Sequence, residues 1–566
     1  LFHQIPDPVF GSLVLSAVVA TLPLAVLFAL LGVARVRAWT ASLVALVLSA
    51  ALAIFVWRMP PLQALSSMAE GALYGIVPIL WILVNALWVY QLTVQTGWFA
   101  VLGERIRVVS RDERVLAIVI AFCFGALLES LAGFGAPVAI SVGMLIAAGM
   151  KPLKAAIVSL LANTAPVAFG AMAAPIIALA GVTGIDTHAL SQMAGRQTPF
   201  LAVLVPLILV VIVDGIRGLK ETWAVAVVAG LAFAISQFVT ANFIAVEITD
   251  VVASIVTLLV VLVVLRFWKP ASSDSSGAAG SAAGGAADES SGEVSIERTT
   301  LGAMPKAGRG VAGDRSEWSR TRLTWYAVLP YVVIVTIFAV SQVPSVKEFL
   351  SRATTVALPW PGLDITDSAG TPVPTVFSVN IVGNGGTLLL LAGMIVACVY
   401  RVSFRGALAA YGATLRQLRF TIITVMTVLA LAYVMNLSGQ TQSLGAALAT
   451  TGALFALLSP TIGWVGVAIT GSDTSSNALF GMLQVTAAEK AGLSPVLMAA
   501  TNSSAGVLGK MLSPQNLAVA AAAAGMVGKE GELFRKLLWW SLGLLLVFTG
   551  LVCLQSTVLA WMVPAG

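Results

Sequence analysis

The chain has 566 residues, is 59% hydrophobic, carries charge on only 10% of its positions and has a formal net charge of +6. A soluble chain would carry about a quarter charged residues, so this one is dissolved in something other than water. The positive balance needs no nucleic-acid partner, because basic loops are what membrane topology uses.

Runs of about 20 apolar residues fit a bilayer core of about 30 Å. The first, 9–33, is long enough to span, so no cleavable signal peptide is expected. The chain opens at Leu1, which implies an initiator residue trimmed or left out of the numbering. Further spans are expected at 38–57 and 73–98. Residues 115–150 are too long for one helix and too broken for two full ones, and are read as a re-entrant hairpin. Spans at 155–181, 199–214, 222–243 and 247–267 follow. Residues 269–322, rich in Ser, Gly and Ala, can bury nothing and are expected to be a disordered cytoplasmic linker. Spans at 323–344, 382–400 and 419–438 come next, then a second hairpin at 443–490 and spans at 494–525 and 537–562. The expected fold is an all-α polytopic membrane protein with about 12 transmembrane helices and two re-entrant hairpins.

Positive charge assigns the sides. The loops holding Arg35 and Arg37, Arg105 to Arg114, Lys151 and Lys154, Arg217 and Lys220, Arg401 to Arg419 and Lys529 to Lys536 all fall on the cytoplasmic side if both termini are extracytoplasmic. The second set of spans then runs opposite to the first. That is the inverted-repeat design of secondary transporters, with substrate held near the midplane by broken helices. The division is 1–215 for the first repeat, 216–268 for a connecting helix pair, 269–322 for the linker and 323–566 for the second repeat.

A trace of the repeat is visible in NTAPVAFGAMAAP from Asn163 and NSSAGVLGKMLSP from Asn502, which share Asn, Gly, Met and Pro at the same offsets. Each is expected to interrupt its helix near the asparagine. Interrupted backbone survives only against protein or a water-filled cavity, where helix ends attract ions. Asn163, Thr164, Asn502, Ser503 and Ser504 are therefore candidates to bind substrate oxygens, or else they only satisfy their own kinked helices. The hairpins add GSDTSSN, with Ser472, Asp473, Thr474, Ser475, Ser476 and Asn477, and ESLAGFGAP, with Gly133, Phe134 and Gly135.

Three ionisable groups, Glu129, Asp473 and Lys510, fall at membrane depth. Such residues cost at least about 2.5–3.5 kcal/mol at a helix centre and usually carry function. A carboxylate taken out of water favours its neutral form, which suits Glu129 or Asp473 to a coupling proton. Lys510 would offset an anionic substrate. A static salt bridge of Lys510 with either carboxylate is the alternative. His188 reads as a surface residue, Glu70 as interfacial, and DGIRGLKE from Asp214 as a charged turn. Cys123, Cys398, Cys553 and the two histidines have no metal-ligand spacing. No cofactor and no metal are expected, and no nucleophile–base pair suggests an enzyme.

GFGAPVAI, NTAPVAFGAM, TGSDTSSNALFG, GKMLSPQN and DGIRGLKETW resemble the bacterial L-lactate permease family over nearly the whole chain, leaving the linker and the 345–380 loop unconstrained. The resemblance implies import of L-lactate, D-lactate and glycolate with protons across the inner membrane. It also implies a homodimer in the lipid bilayer and a transport domain moving past a scaffold. The matching site positions are Gly133 to Pro137, Asn163 with Thr164, Ser472 to Asn477, and Asn502 with Ser503. Phe134 or Phe169 would face the substrate methyl. A sodium-coupled carrier, or less favourably an anion channel or sensor, remains open at this level.

Overall fold

The computed structural model describes the chain except residues 108, 111, 132, 134, 269–317, 369, 374, 381, 565 and 566. Most of the expected linker and Phe134 thus lie outside the described residues. Among the described residues, ten helices are long and apolar enough to cross a membrane, or eleven if one bent pair counts as a span. The difference from the expected 12 is local: Thr187–Phe243 is counted once although it holds the two arms expected at 199–214 and 222–243, and the bent pair is the segment expected at 155–181. Glu113–Leu131 and Gly452–Thr470 reach spanning length although they are arms of the two hairpin segments. Gly385–Val399 is only 15 residues, and the expected 494–525 span is two helices, Pro495–Lys510 and Pro514–Ala523. Large apolar side chains such as Phe55, Leu546 and Trp539 are exposed, as a lipid-facing surface requires.

Helix Thr198–Phe243 contains a reversal at Asp214 and Gly215, where Gly215 has φ +67° and ψ −163°. Its two arms return on each other. Thr198 Oγ1 donates to Gln237 Oε1, and a methyl on Gly230 would meet the Val203 carbonyl at 2.8 Å. This is the antiparallel pair expected at 199–214 and 222–243. The reversal is tied down by Arg114, whose side chain is buried at the start of the first hairpin arm. Its guanidinium bonds Asp112 at 2.7 Å, Asp214 at 3.0 Å and Glu221 at 2.6 Å. The DGIRGLKE turn is therefore an anchor as well as a charged surface. Removing one side of a buried ion network is strongly destabilising. Arg114→Met is expected to lower stability, read as a lower melting temperature in detergent.

The 345–380 segment is more ordered than a free loop. It holds helix Pro344–Thr354 and an antiparallel pair of Thr355–Pro359 with Val376–Asn380. Ile365–Thr366 pairs in parallel with Phe2–His3. The all-α description is thus complemented by two small two-stranded sheets. Trp360 Nε1 donates to Ser66 Oγ at 2.9 Å, fixing this segment to the long helix Pro61–Gln95. Glu70 on that helix, expected at an interface, is 5% exposed. Its neighbour Gly71 explains the burial, since a methyl there would meet the Leu429 carbonyl at 2.6 Å.

The first hairpin runs from Glu113–Leu131 through a turn to Ala136–Ala147. The turn is possible because Gly135 adopts φ +83°, a conformation glycine reaches without strain. The second hairpin is Phe455–Thr470 and Asp473–Ala491, joined at Gly471. It is shorter than the expected 443–490, because Gln440–Ala449 is a separate helix set off by Gly439 at φ +95°.

Candidate functional site

The two broken segments differ in where they break. Helix Pro152–Ala162 stops at Asn163, and the chain resumes as Gly170–Thr183. The helices on either side of the break are bent by 63°. Within the second piece Ala171, Met172 and Ala173 are all left-handed, with φ of 46°, 56° and 60°. Each such residue costs roughly 1–2 kcal/mol, and strain of this kind clusters at functional sites. In the other segment Pro495–Lys510 is unbroken through Asn502, correcting the expected interruption there. Asn502 and Ser503 are tolerated in the helix because they bond to neighbouring elements. The break comes at Met511 to Ser513, just before Pro514, where Ser513 Oγ accepts from Asn516 N at 3.3 Å. Pro514 opens the next helix because a residue at N1 needs no intrahelical N–H bond.

The breaks and the hairpin turns border a cavity of about 30 Å³, lined by Glu129, Gly133, Val167, Gly170, Ala171, Pro175, Gly471, Ser472, Asp473, Thr474 and Lys510. All three intramembrane ionisable groups singled out from sequence meet here. Lys510 Nζ donates to Glu129 Oε1 in a short ion pair whose side chains are 8% and 3% exposed. Glu129 Oε2 has no hydrogen-bond partner. The carboxylate lies against Gly170, where a methyl would meet Oε1 at 3.1 Å. Asp473 Oδ2 accepts from Ser503 Oγ at 2.6 Å, and Oδ1 is buried without a partner. Two carboxylate side chains and one ammonium therefore line the same small volume.

The remaining candidates divide. Ser472, Thr474 and Gly133 line the cavity. Gly135 sits against Val519 and Asn516 at the turn. Ser472 Oγ accepts from Ser475 N at 3.2 Å, capping the second hairpin arm, and Ser475 is buried. Asn502 stands behind the cavity. Its Nδ2 donates to Asn477 Oδ1 at 2.9 Å and to Ser476 Oγ at 3.5 Å, and its Oδ1 accepts from Gln484 Nε2 at 3.2 Å. Asn477 Nδ2 in turn donates to the Pro175 carbonyl at 3.1 Å, joining the second hairpin to the first broken helix. Thr164 Oγ1 bonds its own helix at Leu161 O, 2.7 Å away. Asn163 Oδ1 and Ser504 Oγ are buried without partners. Phe169 is buried but is absent from the lining, where Val167 and Pro175 supply the apolar wall.

Gln484 and Gly170 are additions that sequence reasoning missed. Gln484 lies on the second arm of the second hairpin, in the polar run QVTAAEK. Its burial comes from contact with Ser459 and Asn502.

Spanning helices around a charged, hydrogen-bonded centre define a polytopic helical membrane protein with a buried polar site. The family model described as L-lactate permease matches residues 16–562. The chain belongs to the L-lactate permease family, whose named members are transporters and not enzymes. It is 39% identical to the L-lactate permease of Bacillus subtilis (strain 168) over 580 residues, covering 99% of each chain. It is 40% identical to the glycolate permease GlcA of Escherichia coli (strain K12) over 534 residues, covering 93% of each. Among solved structures, the YdaH transporter of Alcanivorax borkumensis is similar with TM-score 0.45 and 16% identity, covering 89% of this chain and 90% of that one.

Proposed function

We propose that this protein is a proton-coupled symporter importing L-lactate and related 2-hydroxymonocarboxylates, D-lactate and glycolate, across the bacterial inner membrane. The observation that supports this reading most is the buried Glu129–Lys510 ion pair beside Asp473 in one cavity. The names of the relatives, lactate and glycolate permeases, supply the substrate class.

The chemistry follows from charge balance. One ammonium balances one carboxylate. An arriving lactate carboxylate competes with Glu129 for Lys510, and a Glu129 displaced from its partner in a dry site is neutralised by a proton. Lactate and proton then enter together with no net change of buried charge. The substrate hydroxyl faces Ser472 or Thr474 and its methyl faces Val167 and Pro175. The cavity of about 30 Å³ holds one or two waters at most, so admitting lactate requires the hairpin turns to part. An elevator-type displacement of the hairpins and broken helices past a scaffold provides that movement. The two-repeat division at 1–215 and 323–566, both termini outside, and a homodimer belong to the same reading.

Uptake of labelled lactate into proteoliposomes, with proton and sodium gradients imposed separately, tests it. Accumulation should follow the proton gradient alone. Glu129→Gln should abolish proton-driven accumulation while part of the lactate exchange at equal pH survives. Unchanged accumulation and pH dependence in that variant would remove Glu129 as proton carrier, and accumulation driven by sodium alone would replace the proton reading altogether.

A further inference from the structure

Another buried carboxylate lies outside the cavity. Asp250 is in the first turn of helix Thr249–Phe267 and is 0% exposed. Its Oδ1 accepts from Gln237 Nε2 at 2.8 Å, while Oδ2 is buried with no hydrogen-bond partner. Gln237 is itself fully buried. Its Nε2 also reaches the Ala165 carbonyl at 3.5 Å, and its Oε1 accepts from Thr198 Oγ1 at 3.0 Å. Ala165 belongs to the irregular backbone of the first broken helix, two residues beyond Asn163.

Burial inside the protein, at 0% exposure, takes Asp250 out of water. The arm from the Asp214–Gly215 reversal back to Thr198 is 16 residues, roughly 24 Å of helix, so the Asp250–Gln237–Thr198 group is far from the charges at that reversal. Charged groups bear on it sparsely. Glu129, from the first hairpin arm packed alongside, acts on Asp250 as a like charge. Helix Gly170–Thr183 brings no ionisable residue. Arg114, Asp214, Arg217, Lys220 and Glu221 cluster at the distant reversal. On helix Arg320–Ser341, Tyr331 bears on Tyr90, and Arg322 stacks over Trp318 with Tyr326 beside it. No cation among the described residues pairs with Asp250, and an ionised carboxylate buried without one is strongly disfavoured.

We propose that Asp250 is a second proton-carrying carboxylate of the transport cycle, linked to the first broken helix through Gln237 and the Ala165 carbonyl. The inference rests on the proton-coupled reading above. The proton adds to Oδ2, the oxygen without a partner, and converts the carboxylate to a neutral acid. A neutral acid accepts more weakly from Gln237 than a carboxylate does, so the amide shifts toward Ala165 O and steadies the broken backbone next to Asn163 and Thr164. Loss of the proton draws the amide back. Glu129 belongs to the hairpin arm packed against helix Thr249–Phe267, which connects this group to the cavity. A metal cation is the poorer occupant, because Gln237 Nε2 already stands between Asp250 Oδ1 and Ala165 O, where the cation would sit.

The test uses the full chain in proteoliposomes, wild type beside Asp250→Asn, measuring lactate accumulation under an imposed pH gradient and lactate exchange at equal pH. The expected result is a fall of at least tenfold in the ratio of proton-driven accumulation to exchange. An unchanged ratio and pH profile in Asp250→Asn, with proton coupling intact in the wild type, overturns the inference alone. A wild type that ignores the pH gradient overturns the proton reading and this inference with it. If Asp250→Asn loses exchange as well, infrared difference spectra across a pH step decide, using Asp250→Glu. A shifted protonated-carboxyl band in that variant supports the assignment, and a band identical to wild type overturns it.

Discussion

Lys510→Gln is expected to reduce lactate uptake by at least about 100-fold. Taking the buried counter-charge from a bound anion costs about 2–5 kcal/mol of binding, and each 1.36 kcal/mol is a factor of ten. Lys510 and Glu129 are both almost fully buried, so solvent does little to screen the loss. The variant leaves a carboxylate with no cation and a substrate anion with no counter-charge. Stability and transport should then separate. In Glu129→Gln/Lys510→Gln neither charge remains, and the double variant should be more stable than the sum of the single losses by about 1–3 kcal/mol, measured by thermal melting in detergent. Its uptake should stay as low as that of Lys510→Gln, because the substrate still meets no ammonium. Wild-type uptake by Lys510→Gln would place the anion site elsewhere.

Gly463→Ala is expected to be the most damaging change of one methyl group. Helix Phe455–Thr470 lies so close to Pro495–Lys510 that a methyl on Gly463 would fall on the Asn502 carbonyl. A methyl on Gly509 would likewise fall on the Trp464 carbonyl and within 2.8 Å of Ala468 N. Both obstacles are backbone, which cannot rotate away. Overpacking costs typically about 1–3 kcal/mol, and here the upper end applies. The helices must separate, carrying Asn502 away from Asn477 and Ser503 away from Asp473. Melting temperature and uptake should fall together. Gly143→Ala is the control, since nothing lies within 4 Å of its added methyl, and exchanging a helical glycine for alanine gains up to about 1 kcal/mol. Equal melting temperatures for the two variants would contradict the close helix contact.

Much of this site was legible in the chain. Glu129, Asp473 and Lys510 stood out because charge is costly in hydrocarbon, and they do converge. The hairpin turns were marked by Gly133, Gly135 and Gly471, residues that permit positive φ. The polar run from Asn502 was harder to place. Sequence could not tell a break at the asparagine from a helix continuing eight residues to Lys510, because buried polar groups can be satisfied by a kink or by neighbours. Here the neighbours are Asn477, Ser476, Gln484 and Asp473, all distant in sequence. Asp250 escaped notice because it stands at the start of a predicted span, where an acidic residue is ordinarily interfacial.

Composition and the spacing of apolar runs by themselves determined that the chain lives in a bilayer, where most spans fall and which segments are too broken to cross. Those properties depend on local hydrophobicity and on backbone preferences of glycine and proline. Only the tertiary structure decided that Lys510 pairs with Glu129, that Ser503 supports Asp473 and that Gln237 joins Asp250 to Ala165. Partner choice among buried charges depends on which helices approach to hydrogen-bonding distance. That approach is set by interlocking surfaces such as Gly463 on Asn502 and Gly170 on Glu129, which no pattern along a single helix contains.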